Sequence, residues 1–210
     1  MKVELIRYTQ DADWVCGYAA ALCTGFKGDP FKALKGALAS GHESVAEHNC
    51  FTFLIEDVSR VLLAQLTRHR LASFSVQSQR YCGCDPNSLV IPQTIKDKRF
   101  TGSVTLMMDK VTDLYEALIQ EGIPEEDARF IVPQGVTCNL VMSANARELR
   151  HFFSLRCCNR AQWEIRELAN EMLRQCKEVA PVLFADAGAG CVRGACPEGS
   201  RSCKKGVKKE

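Results

Sequence analysis

Hydrophobic and polar positions change period several times along this chain, and each change marks an element. Residues 2 to 8, inside MKVELIRYTQ, alternate and predict a strand. Residues 11 to 23 read as a helix with Asp11 as N-cap. Asp29-Pro30 opens a second helix running to about Ser40, with proline at its first position. The polar stretch SGHESVAEH, residues 40 to 48, separates it from CFTFLIE, residues 50 to 56, whose aromatic and β-branched content predicts a strand. Val58, Val61, Leu62, Leu63 and Leu66 fit a helix from Val58 to about His69. FSVQSQRY then alternates as a strand does.

The second half is mostly helical. Val104, Met107, Met108, Val111, Leu114, Tyr115 and Leu118 form one stripe on a helix over 98 to 121, which reads as core rather than a cofactor box. EGIPEEDARFIVP predicts a break, a short helix with acids in its first turn, and a proline stop. GVTCNLVMSAN, residues 135 to 145, is strand-like, and Asn145 is placed to cap a helix over 146 to 155. A last helix spans 162 to 180, with Ile165, Leu168, Met172, Cys176 and Val179 on one face and Pro181 at its end. With no internal repeat and no βαβ alternation, the expected class is α+β: long helices packed on a mostly antiparallel sheet.

Composition narrows the function classes. The 210 residues suit one domain, or one domain plus an appendage. A net charge of +2 makes no global electrostatic case for nucleic acid or a membrane surface. No segment approaches the ~20 apolar residues that cross a bilayer, and MKVELIRYTQ lacks a signal peptide's apolar core. A cytoplasmic protein is expected, and a reducing compartment disfavours structural disulfides among the 12 cysteines. Cys16, Cys23, Cys138 and Cys176 sit in apolar settings and read as small hydrophobes. Arg201, Lys204, Lys205, Lys208 and Lys209 crowd the last ten residues as a solvated tail.

Candidate chemistry gathers in three clusters. In RHRLASFSVQS, Arg68 and Arg70 flank His69, and Ser73, Ser75 and Ser78 follow. Two guanidiniums make an anion clamp, with the solvated helix end as the alternative. On a strand, Ser78 and Arg80 would share a face. His42, Glu43, Ser44, Glu47 and His48 form the second cluster, read either as metal ligands or as hydrogen-bonded histidines, its spacing matching no strong zinc pattern. The third is Asn145, Arg147, His151 and Arg156, where Arg147 and His151 share a helix face. Arg129 lies among apolar residues, where a charge needs a partner. Phosphate-binding glycine loops and a GxSxG elbow are absent, and nothing local activates Cys157 or Cys158 as a nucleophile.

Arg-His-Arg, seven residues, then Ser resembles the signature of the flavin-dependent thymidylate synthases. GHESVAEH resembles that family's upstream histidine segment. EEDARFIVP resembles its arginine-bearing helix, and NARELRHFFSLRCCNRAQWEIRELA its C-terminal signature. The four motifs occur in the family's order, and the resemblance covers roughly residues 1 to 185, leaving 186 to 210 as a Cys/Lys-rich tail.

The resemblance implies an enzyme of that fold making dTMP from dUMP, with methylenetetrahydrofolate as one-carbon donor and NADPH as reductant through FAD. It implies a homotetramer whose active sites are shared between subunits. Carried over by position, Gln65, Arg68, Ser78, Arg80, Arg129 and Arg156 contact the nucleotide, with Gln77 and Gln79 as further candidates. His42, Ser44, Arg68, His69, Arg70, Asn145, Arg147 and His151 contact FAD. Arg156 would stabilise charge developing at the uracil carbonyl edge. Ser78 would bind rather than attack, since flavin carries the hard chemistry.

The chain also departs from the pattern. Val76 stands where the family often has Glu or Gln. The tail cysteines Cys191, Cys196 and Cys203 could form a zinc site with Cys82 or Cys84, a disulfide, or free thiols. Rival readings are a silent flavin or nucleotide binder, a nucleic-acid module using the tail, and a synthase acting through a catalytic cysteine. The intact arginine set, the near-neutral charge and the flavin signature respectively argue against them.

Overall fold

A computed structural model describes residues 1–83, 85 and 88–206. Among the described residues the strands are β1 (Lys2–Tyr8), β2 (Phe51–Ser59), β3 (Ser73–Val76) and β4 (Thr137–Ala144), hydrogen-bonded in the order β1-β2-β4-β3. The helices are α1 (Ala12–Thr24), α2 (Pro30–Ala39), α3 (Arg60–Leu66), α4 (Gln93–Asp97), α5 (Thr101–Gln120), α6 (Glu125–Ala128), α7 (Ala146–Arg156) and α8 (Trp163–Val179). The mixture of helices and antiparallel sheet agrees with the expected class. Inward positions alternate along β4, where Cys138, Leu140, Met142 and Ala144 are buried and their neighbours partly open.

Contacts divide the chain into two compact units built from interleaved segments. The larger holds Lys2–Leu54, Leu66–Phe74 and the described residues from Val141. Its core is aromatic: Phe184 meets Phe51 edge-on at 5.4 Å and Phe153 at 5.9 Å. Each such ring, fully buried, contributes about 1.5–3 kcal/mol. Ile165, Leu168, Met172 and Cys176 of α8 are buried, as the periodicity predicts. Gly17 lets α1 approach α2 closely, because a Cβ there would stand 2.3 Å from the Pro30 carbonyl oxygen.

The smaller unit holds Ile55–Gln65 and Ser75–Leu140. Its long helix α5 buries only Met108 and Tyr115 of the predicted stripe, while Met107 and Leu114 are exposed. The helix expected over 98 to 121 is α5, which begins only at Thr101 because Arg99 adopts φ 62 between α4 and α5.

Three local expectations are corrected. β2 continues to Ser59, so Val58 is a strand residue and α3 begins only at Arg60. Asp57 takes φ 57 and donates its N–H to the Asn139 Oδ1 at 3.0 Å, while Arg60 and Val61 still donate to the carbonyls of Val136 and Gln134. Strand pairing therefore outlasts the helical pattern. Secondly, FSVQSQRY is a strand only to Val76. The Ser78 hydroxyl accepts the Arg80 N–H at 3.2 Å, and the Cys82 N–H reaches the Ser78 carbonyl at 2.9 Å. Ser78 and Arg80 thus share a serine-nucleated turn, not a strand face. Thirdly, Asp11 occupies the N-cap of α1 at φ 51 without a side-chain cap bond. The nearby Asp13 carboxylate instead accepts the distant N–H groups of Val182 and Leu183, both at 2.8 Å. Asp29 and Asn145 cap α2 and α7 as expected, accepting from the backbone N–H of Phe31 and Glu148.

Candidate active site

The Arg-His-Arg segment lies in the turn after α3 rather than on the helix itself. His69 donates its backbone N–H to the Leu66 carbonyl at 3.1 Å, and its own carbonyl accepts from Ala72 at 3.2 Å. The turn points the three side chains apart: Arg68 and Arg70 are exposed, and the His69 ring is buried at 4% exposure.

Inside the larger unit, both nitrogens of that ring are engaged. Nδ1 lies 3.1 Å from Glu148 Oε1, and Nε2 accepts the Nε–H of Arg156 at 3.1 Å. Phe152 packs edge-on against the ring at 4.9 Å, and His151 stands 5.9 Å away. Burial, then the charge of Arg156, lower the His69 pKa below its usual value in spite of the Glu148 carboxylate. The imidazole is therefore neutral near pH 7.

The segment of residues 42 to 49 is tied to α7 at three points. The Asn49 Oδ1 accepts the Ala146 N–H at 2.7 Å. Arg147 pairs with Glu47. Arg150, at 1% exposure, pairs with Glu43 at 3.2 Å and with Asp186 at 2.6 Å, and donates to the Leu183 carbonyl. Arg193 from beyond α8 completes the group, 2.9 Å from Glu43. His42 and Ser44, both exposed, line a cavity of about 540 Å³ with Phe26, Lys32, Val45 and neighbouring small residues of α1 and α2.

The smaller unit contains Gln65, Gln77, Ser78, Gln79, Arg80 and Arg129. Arg80 pairs with Glu126, Nη2 to Oε2 at 2.6 Å and Nε to Oε2 at 2.7 Å. Arg129 donates to the Glu126 carbonyl at 3.1 Å, which puts both arginines on one acidic residue of α6. The Gln77 carbonyl accepts from Arg60, and Gln65 donates to the Val61 carbonyl.

Sequence reasoning missed Glu148, Glu126 and Arg150, and read Glu43 only as one of a histidine cluster. Glu148 was visible only as the third residue after the cap Asn145, a position that normally reaches back to the helix start. Here its side chain turns inward to His69 instead. Among the described residues no three His, Cys, Asp or Glu side chains are grouped to hold a metal. Cys82, Cys191, Cys196 and Cys203 are free thiols, and Cys84 lies outside the described residues. Burial pushes the Cys157 thiol up to about 12, which removes it as a nucleophile.

The larger unit thus sets a guanidinium on a buried histidine within an α+β fold. Comparison with known proteins sharpens this. The family described as Thymidylate synthase complementing protein matches residues 4–182. A flavin-dependent thymidylate synthase of Geobacter sulfurreducens is 44% identical over 219 aligned residues, covering 98% of this chain and 94% of that protein. One from Nitratidesulfovibrio vulgaris is 48% identical over 174, covering 78% and 71%. Among solved structures, the UMP/dUMP methylase PolB from Streptomyces cacaoi, bound with 5-Br dUMP, superposes with a TM-score of 0.76 at 25% identity, covering 88% of this chain and 93% of that one. The chain belongs to the flavin-dependent thymidylate synthase family.

Proposed function

We propose that this protein converts dUMP to dTMP as an FAD-dependent methyltransferase, with methylenetetrahydrofolate as carbon donor and NADPH as reductant. The observation that carries the reading is the Arg156 guanidinium, held through its Nε–H on the buried His69. A nucleoside monophosphate carries about two negative charges, which calls for several arginines. Gln65, Arg68, Gln77, Ser78, Gln79, Arg80, Arg129 and Arg156 are the nucleotide ligands. Arg80 would exchange Glu126 for phosphate, the carboxylate keeping the guanidinium oriented beforehand. Arg156 places positive charge at the uracil carbonyl edge, where negative charge grows as C5 attacks the one-carbon unit. The Ser78 hydroxyl, already accepting the Arg80 N–H, orients the ligand and does not act as a nucleophile.

FAD is held by His42, Ser44, Arg68, His69, Arg70, Asn145, Arg147 and His151. The group fits the residues present: the cavity beside His42 and Ser44 combines apolar walls (Phe26, Val45) with donors, including Lys32. When bound, FAD supplies hydride transfer between NADPH and the nucleotide. His69 acts there through its position, since both its ring nitrogens have partners within the chain. The exposed Leu106, Met107 and Leu114 of α5 support assembly into a homotetramer with shared active sites. The proposed location is the cytoplasm; among the described residues no helix is long and apolar enough to cross a membrane.

The test is an absorbance titration of the purified protein with FAD, followed by anaerobic NADPH-driven flavin reduction with and without dUMP. A bound-flavin spectrum with reduction accelerated by dUMP is expected. A protein that takes up no FAD overturns the proposal and leaves a nucleotide binder.

A further inference from the structure

Glu148 is buried at 5% exposure and absent from every role assigned above. It sits in the first turn of α7, where its carboxylate turns into the protein and reaches Nδ1 of His69 at 3.1 Å. His69 in turn meets the Arg156 Nε–H at 3.1 Å through Nε2. The partners dictate the proton's place. A guanidinium Nε–H only donates, so Nε2 presents its lone pair. A carboxylate only accepts, so the single proton of the neutral ring sits on Nδ1.

We propose that Glu148 is a positioning residue for the reaction. By accepting from Nδ1–H it fixes the His69 tautomer whose Nε2 holds Arg156, and so sets the direction in which the guanidinium presents Nη1 and Nη2. The inference deepens the reading of Arg156 as the group at the uracil edge and rests on it. Without an acceptor at Nδ1 the buried Nδ1–H loses its partner and only the Arg156 contact still favours that tautomer, so the Nε2-protonated form becomes populated. Two N–H groups then face each other across 3.1 Å, and Arg156 must turn away. The ring itself is held in place regardless: Phe152 packs edge-on at 4.9 Å. Loss of the carboxylate therefore acts on the tautomer before it acts on the fold. The same logic, a buried carboxylate that selects a histidine tautomer, is worth orders of magnitude in other enzymes.

The experiment compares Glu148→Gln with Glu148→Met in the full chain. Both fill the buried volume, but only the glutamine oxygen still accepts from Nδ1–H. Ring-labelled ¹⁵N-histidine spectra, taken without nucleotide, report the tautomer, and His69→Gln assigns the His69 signals among the 4 histidines. The expected result is an Nδ1-protonated ring in the wild type and in Glu148→Gln. Glu148→Met moves the proton to Nε2 and lowers kcat by roughly tenfold to a hundredfold, with Glu148→Gln within about threefold of wild type. The inference is overturned if Glu148→Met keeps the wild-type tautomer, or shifts it with kcat unchanged. It also falls if both variants lose kcat equally and in step with Tm, because Glu148 would then be structural. A wild-type protein without synthase activity overturns the proposed function, and that outcome is read separately from the tautomer.

Discussion

Arg150 and Glu43 stand 107 positions apart in sequence and meet at 3.2 Å, with Arg150 buried to 1% exposure. The pair joins α7 to the segment carrying His42 and Ser44, and Asp186 and Arg193 close the group around it. A buried guanidinium with two carboxylates and a carbonyl is costly to disrupt. Arg150→Ala should lower stability by about 3 kcal/mol or more, read as a fall in the urea midpoint. FAD affinity should fall with it, because the segment bearing His42 and Ser44 loses its anchor. An unchanged midpoint would show that Arg193 alone suffices.

Arg156 offers a sharper functional contrast. Arg156→Lys keeps the charge but loses the planar fork and the Nε–H that seats it on His69. Turnover should drop by about a hundredfold while Tm stays near wild type, since the arginine is only half-buried. Steady-state kinetics beside a melting curve separate the two effects.

Ser78 should prove dispensable for bond making. Its hydroxyl serves a turn, accepting the Arg80 N–H at 3.2 Å. Ser78→Ala is expected to weaken dUMP binding and to retain measurable turnover. Complete loss of turnover with dUMP binding intact would make the serine a chemical participant.

Acid should weaken the protein through His69. Burial first, and then Arg156 and His151, lower its pKa from 6.5, against the opposing pull of Glu148. The unfolded chain therefore binds the proton more readily than the folded one. The contribution is complete above 6.5 and is lost as pH falls below it toward the folded value. The drop in denaturation midpoint between about pH 7.5 and about pH 5.5 should be smaller in His69→Gln than in the wild type. Asp186 titrates in a separate window, since Arg150 lowers its pKa from 3.8.

Cys157 should be silent toward thiol reagents. With its pKa near 12, only about one thiol in ten thousand is ionised at pH 8. Cys157→Ala should keep turnover, and the native protein should leave this thiol unmodified by an aromatic disulfide reagent.

Much of this protein was legible in its residues. Alternation predicted β1 and β4, helical periodicity predicted α1, α2, α5, α7 and α8, and proline and asparagine marked helix starts. These signals are local: each depends on which face of one element meets water, and that is written in spacing. The arginines, histidines and motif order pointed to the family by resemblance. What stayed hidden depended on partners far along the chain. The end of β2 was misjudged because Asp57 and Arg60 answer to Asn139 and Val136 rather than to their own neighbours. The strand through Ser78 failed because the serine hydroxyl closed a turn first. Glu148 read as an ordinary helix-start acid, and only folding brought its carboxylate to a histidine 79 residues away. The sequence by itself determined which groups are available and which element carries each. The tertiary structure alone decided which of those groups are buried together, and burial is what settles a tautomer, a pKa and the direction of a guanidinium.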